Sequence, residues 1–316
     1  MKLIRRIADI TPELQFGAVT IGNFDGVHHG HAKILRRLIQ HARRVGGPAV
    51  VFTFDPHPVR LLRPSLAPPP LTWTERKMEL VAEIGVDALV AYPTDEKLLD
   101  LSPQEFFSDI ILDTFRAQVV VEGPNFFFGK DRAGDVKLLT ELCRVNSITA
   151  DTVKPVESDD RYVSSSRIRD HIAAGDVAFA REMLTQPYRI RGMVIHGSAR
   201  GAGIGFPTAN VDAVDTLLPG PGVYAGRAYC EAGVWPAAIN LGPNPTFGDQ
   251  SCKLEVHLIG FDGGLYGQSL EVDFLARLRD VQSFDGIDPL KKQLQLDVLK
   301  ATEVCQGFAT RAGELP

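Results

Sequence analysis

Residues 16–31, FGAVTIGNFDGVHHGH, pass from an apolar run through a turn of glycines and histidines into a helical pattern. Phe16 to Ile21 reads as a strand. Gly30 to Val45 reads as a helix with Ile34, Leu35, Leu38 and Ile39 on one side. A strand, a glycine-rich turn and a helix start bring free helical N–H groups and the helix dipole to face an anion, and phosphate suits that geometry. His28 and His31, three apart, share a face of the helix start, so both imidazoles can donate to one phosphate chain. Such a pair can stabilise charge developing on a nucleotide α-phosphate without a covalent intermediate. His28, His29 and His31 are also compatible with a zinc site or a polar turn, although no carboxylate or cysteine stands beside them at ligand spacing.

Outward from this turn, β-rich and helical runs alternate. Pro48 to Phe54, Ala88 to Tyr92 and Ala117 to Val121 read as strands, and Thr74 to Ile84 and Pro103 to Phe115 as helices. Strands this apolar, separated by helices, require a parallel sheet covered on both faces, so the first part is a doubly wound α/β domain. After about Gln186 the pattern changes to short alternating strands at Tyr188–Val194, Gly222–Tyr229, Trp235–Leu241 and Lys253–Ile259, with Gly and Pro turns between them. A small β-barrel or sandwich follows from that pattern, with a C-terminal helix over Pro289–Val304. The expected domains are therefore 1–186 and 187–316.

The 316 residues suit two domains, and 44% hydrophobic with 23% charged residues is an ordinary globular composition. A formal charge of −5 argues against nucleic acid as the main partner. Cys143, Cys230, Cys252 and Cys305 are widely spaced and form no C-x-x-C pair, as expected of thiols in a reducing compartment. The N-terminal Met1–Asp9 has no apolar h-region, and no stretch approaches a membrane span, so no membrane partner is expected and the cytoplasm is the expected location. No feature specifies an oligomeric state.

The run H-x-G-H after G-x-F-D-G resembles the nucleotidyltransferase superfamily, and Gly22-Asn23-Phe24-Asp25-Gly26-Val27-His28 narrows the resemblance to the bacterial bifunctional riboflavin kinase/FAD synthetases. Phe52-Thr53-Phe54-Asp55-Pro56-His57-Pro58 is similar to that family's F-T-F-D-P-H-P. Gly123 to Gly129 with Arg132 to Asp135 is similar to its G-x-[DN]-F-x-F-G…R-x-G-D, and Val163 to Arg169 to its I-S-S-T-x-I-R, with Ser166 where Thr is usual. The resemblance implies that His28, His31 and Arg169 are catalytic and that Gly22, Phe24, Asp25, Gly30, Ser164, Ser165 and Arg167 bind ATP. It implies flavin contacts at Asp55, His57, Asn125 and Phe128. Hydroxyls and guanidinium groups ahead of a helix can hold a triphosphate; read without the family, the serines are a helix cap, the phenylalanines core, and Asp55 and His57 strand-end structure.

In the second part, Gly197 to Asn210 is a glycine loop ending in G-F-P-T-A-N, which resembles the family's riboflavin kinase signature. By that resemblance Gly205 and Thr208 meet the ATP phosphates, and Thr208 and Asn210 hold Mg²⁺ through oxygen ligands suited to a hard cation. Leu254-Glu255-Val256-His257-Leu258 is similar to its E-V-H-L, which implies Glu255 as general base toward the ribityl 5′-hydroxyl. Asn240 to Phe247 is similar to its N-I-G-x-x-P-T-F, and Arg279 falls in its flavin-side loop. The chain departs from the family pattern at Ala202, Val281 and Ser283, where Arg, Glu and Lys are usual. The implied enzyme phosphorylates riboflavin to FMN and joins FMN to AMP from ATP, with riboflavin, FMN, FAD and ATP as its small molecules. The alternative is an FMN adenylyltransferase whose C-terminal half has lost kinase activity and only binds flavin.

Overall fold

A computed structural model describes residues 1–197, 200–244 and 249–312. The chain groups into two compact units, one of Met1–Pro68 with Trp73–Ser164 and one of Pro69–Thr72 with Ser165–Pro316.

In the first unit the strands are β1 (Lys2–Ile4), β2 (Ala18–Ile21), β3 (Ala49–Phe54), β4 (Ala88–Tyr92), β5 (Val119–Glu122), β6 (Phe127–Phe128), β7 (Gly134–Asp135), β8 (Thr149–Thr152), β9 (Glu157–Ser158) and β10 (Arg161–Tyr162). The helices are α1 (His29–Val45), α2 (Pro58–Leu62), α3 (Thr74–Ile84), α4 (Glu96–Leu99), α5 (Pro103–Phe106) and α6 (Val136–Val145). A parallel sheet runs β1-β4-β3-β2-β5-β8. Successive residues of each strand point to opposite faces, so both faces need cover. Val19, Ile21, Val50, Phe52, Val90 and Val120 pack against Phe106, Phe107, Ile110, Ile111 and Phe115. Ala18, Val51, Leu89, Val119 and Val121 pack against Leu35, Leu38 and Ile39 of α1 and Leu80 and Val81 of α3.

The order of the sheet positions the site. From β2 the chain builds toward β3 and β4 on one side and later toward β5 and β8 on the other, so the switch point lies between β2 and β5. Ligands of open α/β sheets bind in the crevice outside the carboxyl ends there. The G-N-F-D-G-V-H turn leaves β2 at that point. The strand starts two residues later than the sequence suggests, because Phe16 is left-handed with φ 62°. The helix expected over 103–115 is α5 followed by a wider-wound turn at Phe107–Thr114.

The second unit contains α7 (Ser165–Ala173), α8 (Val177–Met183), β11 (Tyr188–Ile195), α9 (Arg200–Gly203), β12 (Ala209–Asp212), β13 (Gly222–Cys230), β14 (Gly233–Asn244), β15 (Asp249–Leu258), β16 (Ser269–Arg279) and α10 (Ile287–Ala312). The strands close an antiparallel barrel in the order β11-β12-β15-β14-β13-β16. Its alternating pattern buries Ile190, Ala225, Ile239, Val256, Val272 and Phe274. The unit begins ahead of the 186/187 boundary expected from composition because α7 and α8 dock on the barrel. Gly220 N donates to Ile172 O at 3.0 Å and Arg181 Nη1 to Leu275 O at 3.3 Å.

Fully buried Asp273 on β16 accepts from Arg189 Nε at 2.6 Å, Arg227 Nη2 at 2.7 Å and Tyr229 Oη at 2.6 Å. Burial and this carboxylate push the Tyr229 phenol up to about 12. The Arg227 guanidinium also lies 4.6 Å from the ring centroid of Phe308 on α10, which ties the helix to the barrel.

Candidate active sites

The turn after β2 is strained. Phe24 has φ 45°, Gly26 83° and Val27 39°, and a β-branched residue in the left-handed region persists only where its surroundings over-determine it. Val27 is fully buried, and Phe24 and Asp25 are nearly so. The turn delivers His28 as the N-cap of α1, where its Nδ1 accepts the His31 backbone N–H at 3.2 Å. The two imidazoles stack with centroids 3.6 Å apart and planes at 16°, and the Phe24 ring lies 5.1 Å from His31. His28 precedes the helix and spends Nδ1 as a cap, so its proton sits on Nε2. Burial, with neighbouring His29, holds His28 down at about 4 against the opposing pull of Asp25. Burial, His28 and Lys77 hold His31 well below the usual histidine range. The pair is therefore neutral at pH 7, and among the described residues His31 Nδ1 is buried without a hydrogen-bond partner. His29 is exposed.

Behind the turn, Thr53 Oγ1 donates to Asn23 O at 3.2 Å, and Lys77 Nζ lies 3.4 Å from Thr53 Oγ1. His57 Nδ1 accepts from Val59 N at 3.1 Å as the cap of α2, and its Nε2 lies 2.8 Å from Asn23 Nδ2. Asp55 accepts from Thr74 Oγ1 at 2.5 Å and from Arg5 at 3.4 Å. At the switch point, buried Glu122 accepts from Ile21 N at 2.6 Å, and burial pushes its carboxyl well above the usual range. Sequence reasoning missed Lys77 and Glu122. The spacing of Lys77 with Leu80, Val81 and Ile84 was a signal for the lysine, since it puts Lys77 on the buried face of α3.

Asn125 is exposed after β5, in the loop that leads to the β6–β7 hairpin. Phe128, expected at the flavin, is 5% exposed and stacks on Phe126 at 5.4 Å within the core, because strand alternation turns it inward. Phe127 is the outward ring, with Arg132 4.6 Å over it. Gly22, Gly30 and Ser164 belong to the first unit, whereas Ser165, Arg167 and Arg169 start α7 in the second. There Arg167 lies 5.3 Å from the Phe179 ring, and Arg169 Nε donates to Pro69 O at 2.8 Å.

On the barrel, register builds the second site. Asn210 of β12 stands opposite Glu255 of β15, which stands opposite Asn240 of β14. Their strand neighbours Ala209, Val211, Leu254, Val256, Ile239 and Leu241 are buried, so the three polar side chains share the outer face. Facing residues in adjacent strands bring Cβ atoms to about 5 Å. Thr208 directly precedes β12, two residues before Asn210. His257 Nδ1 donates to Pro207 O at 2.7 Å, which anchors the P-T-A-N segment, a contact that no local sequence pattern signals. Gly205 is left-handed with φ 91°, and Ala202 is exposed. Arg279 is paired with Asp297 of α10, with Nη2 2.7 Å from Oδ2, and Asp297 is 2% exposed. Ser198 and Ala199 of the glycine loop, and Pro245, Thr246 and Phe247 of the N-x-G motif, lie outside the described residues. Among the described residues no group of three His, Cys, Asp or Glu side chains could hold a metal ion.

The FAD synthetase family matches residues 11–167 and the riboflavin kinase family matches residues 184–305. The bifunctional riboflavin kinase/FMN adenylyltransferase of Pseudomonas fluorescens is 36% identical over 98% of this chain and 100% of its own length. The chain belongs to the bifunctional riboflavin kinase/FMN adenylyltransferase family. The member from Escherichia coli strain K12 is 35% identical over 96% of this chain and 97% of its own, and that from Bacillus subtilis strain 168 is 34% identical over 92% and 93%. A crystal structure described as a macrolide-efflux protein from Streptococcus pneumoniae shares the family fold, with a TM-score of 0.80 and 31% identity over 94% of this chain and 96% of that one. Among the described residues of this chain, no helix is long and apolar enough to cross a membrane.

Proposed function

We infer that this chain transfers the γ-phosphoryl group of ATP to riboflavin on its barrel, giving FMN and ADP, and joins FMN to AMP from a second ATP in its α/β domain, giving FAD and pyrophosphate. The observation that carries the reading is the pairing of Glu255 directly across from Asn210 on the same chain that holds the capped, stacked His28–His31 pair at the sheet switch point. Residues 1–186 are assigned to adenylyl transfer and 187–316 to the kinase.

In adenylyl transfer an FMN phosphate oxygen attacks the α-phosphorus of ATP in line, and pyrophosphate leaves. The protein's part is positioning and charge stabilisation. His28 donates from Nε2 to the phosphates, and Gly22, Gly26 and Gly30 let the backbone approach. Asn125 and the exposed Phe127 are the flavin-side groups after β5, with Asp55 and His57 at the end of β3. Ser164, Ser165, Arg167 and Arg169 keep the phosphate roles that their motif implies. In the kinase, Glu255 takes the proton of the ribityl 5′-hydroxyl as that oxygen attacks the γ-phosphorus of ATP. Thr208 and Asn210 offer only neutral oxygens, which fits Mg²⁺ shared with nucleotide phosphates. When bound, the ion neutralises charge on the β- and γ-oxygens. ATP as co-substrate places the work in the cytoplasm.

The reading with a lapsed kinase is not favoured. Ala202 is exposed in α9, and the Asn210–Glu255–Asn240 row is complete without it. A chromatographic time course with riboflavin, ATP and Mg²⁺, beside one with FMN, ATP and Mg²⁺, tests the proposal. FMN and then FAD from riboflavin is the expected result. FAD from FMN alone would restore the lapsed-kinase reading, and no product from either would overturn both.

A further inference from the structure

Lys77 is the one buried ammonium in the adenylyl-transfer region that the chemistry above leaves unused. It is 7% exposed on α3, and its ammonium lies 3.4 Å from Thr53 Oγ1. A buried lysine is retained where its charge is matched or used. Here the matching charges are Asp25 in the turn and Asp55 at the end of β3, which both favour the charged amine, while burial lowers its proton affinity. Thr53 continues the contact to Asn23 O at 3.2 Å, so lysine, threonine and turn backbone form one line. The groups facing the histidine pair are His29, Asp25 and Lys77.

We propose that Lys77 is a positioning residue for adenylyl transfer, its buried ammonium bracing the G-N-F-D-G-V-H turn through Thr53 and setting a positive charge near His31. The proposal rests on the functional reading above. Its physical content has two parts. The brace over-determines a turn in which Phe24 and Val27 sit at positive φ, a conformation that isolated chains avoid. The ammonium opposes a second proton on His31, so that imidazole remains a neutral hydrogen-bond donor.

The test measures FAD formation from FMN and ATP between pH 5 and 9, with riboflavin phosphorylation by the same sample as an internal control of folding. In Lys77→Met, FAD formation is expected to fall about tenfold or more at pH 8, and its acid limb to move upward by roughly half a pH unit or more, while phosphorylation is unchanged. Lys77→Arg keeps the charge and is expected to leave the limb in place. Thr53→Val keeps the cation but breaks the line, and should lower the rate with the limb unmoved. An acid limb in Lys77→Met that coincides with wild type overturns the charge role, and a Thr53→Val rate equal to wild type overturns the brace. If Lys77→Met loses phosphorylation as well, Lys77→Arg and Thr53→Val decide. Ring NMR titration of His28 and His31 gives a readout independent of turnover, with midpoints expected to rise in Lys77→Met. Wild-type protein that makes no FAD from FMN overturns the functional reading itself, whereas unmoved midpoints overturn only the role of Lys77.

Discussion

The imidazoles of His28 and His31 stack 3.6 Å apart while the Nδ1 of the first caps the backbone N–H of the second. A protonated His28 cannot accept that hydrogen bond, so the cap and the neutral state are one property. His28 is held at about 4 against 6.5 for an ordinary histidine. The unfolded chain therefore binds the proton first as pH falls, and stability present above pH 6.5 is lost progressively down to about pH 4. At 1.36 kcal/mol per unit, this group alone accounts for about 3 kcal/mol. Urea midpoints at pH 7, 5 and 4 should show the loss in the wild type and a smaller one in His28→Asn, which keeps a cap but does not titrate.

Removing the base should separate the two activities. Glu255→Gln is expected to lower riboflavin phosphorylation by about 10²- to 10⁴-fold, with FAD formation from FMN unchanged, as read by parallel initial rates. His257→Phe keeps the ring contact with Phe206 at 5.7 Å but loses the bond to Pro207 O. Losing about 1 kcal/mol of positioning would slow phosphorylation roughly fivefold.

Asp273 anchors two arginines and a tyrosine from a site with no exposure. Asp273→Ala would leave Arg189 and Arg227 without their buried partner, at a cost of about 3 to 5 kcal/mol. Calorimetry should show a lower Tm for the barrel transition, together with weaker docking of α10.

The two rings of β6 should behave oppositely. Phe128→Ala removes a buried ring and is expected to cost about 3 to 5 kcal/mol in chemical denaturation. Phe127→Ala, at 45% exposure, should leave stability within about 0.5 kcal/mol while raising the KM for FMN.

These contrasts show what was legible in the sequence. Apolar runs and glycine turns located the parallel sheet, the barrel and the strand–turn–helix at His28, because side-chain period and turn chemistry are local properties. Phe126, Phe127 and Phe128 looked alike because which ring points inward depends on the register of a two-residue strand. The partner of Arg279, Asp297, lies 18 residues on, in a helix whose docking no local pattern reports. Lys77 stood in a charged helical run, T-E-R-K-M-E, where a solvated cation is the ordinary expectation. The boundary at 186/187 followed the change in composition, whereas α7 and α8 take their side from packing.

The position of β13 in the barrel has a consequence for exchange with solvent. It is paired with β14 from Gly222 to Cys230 on one edge and with β16 from Val223 to Tyr229 on the other, and α10 is tied against it through Arg227. None of its backbone amides can reach deuterium by fraying at a sheet margin. The amides of Val223 to Tyr229 should therefore be the last in this unit to exchange, at a rate governed by global opening.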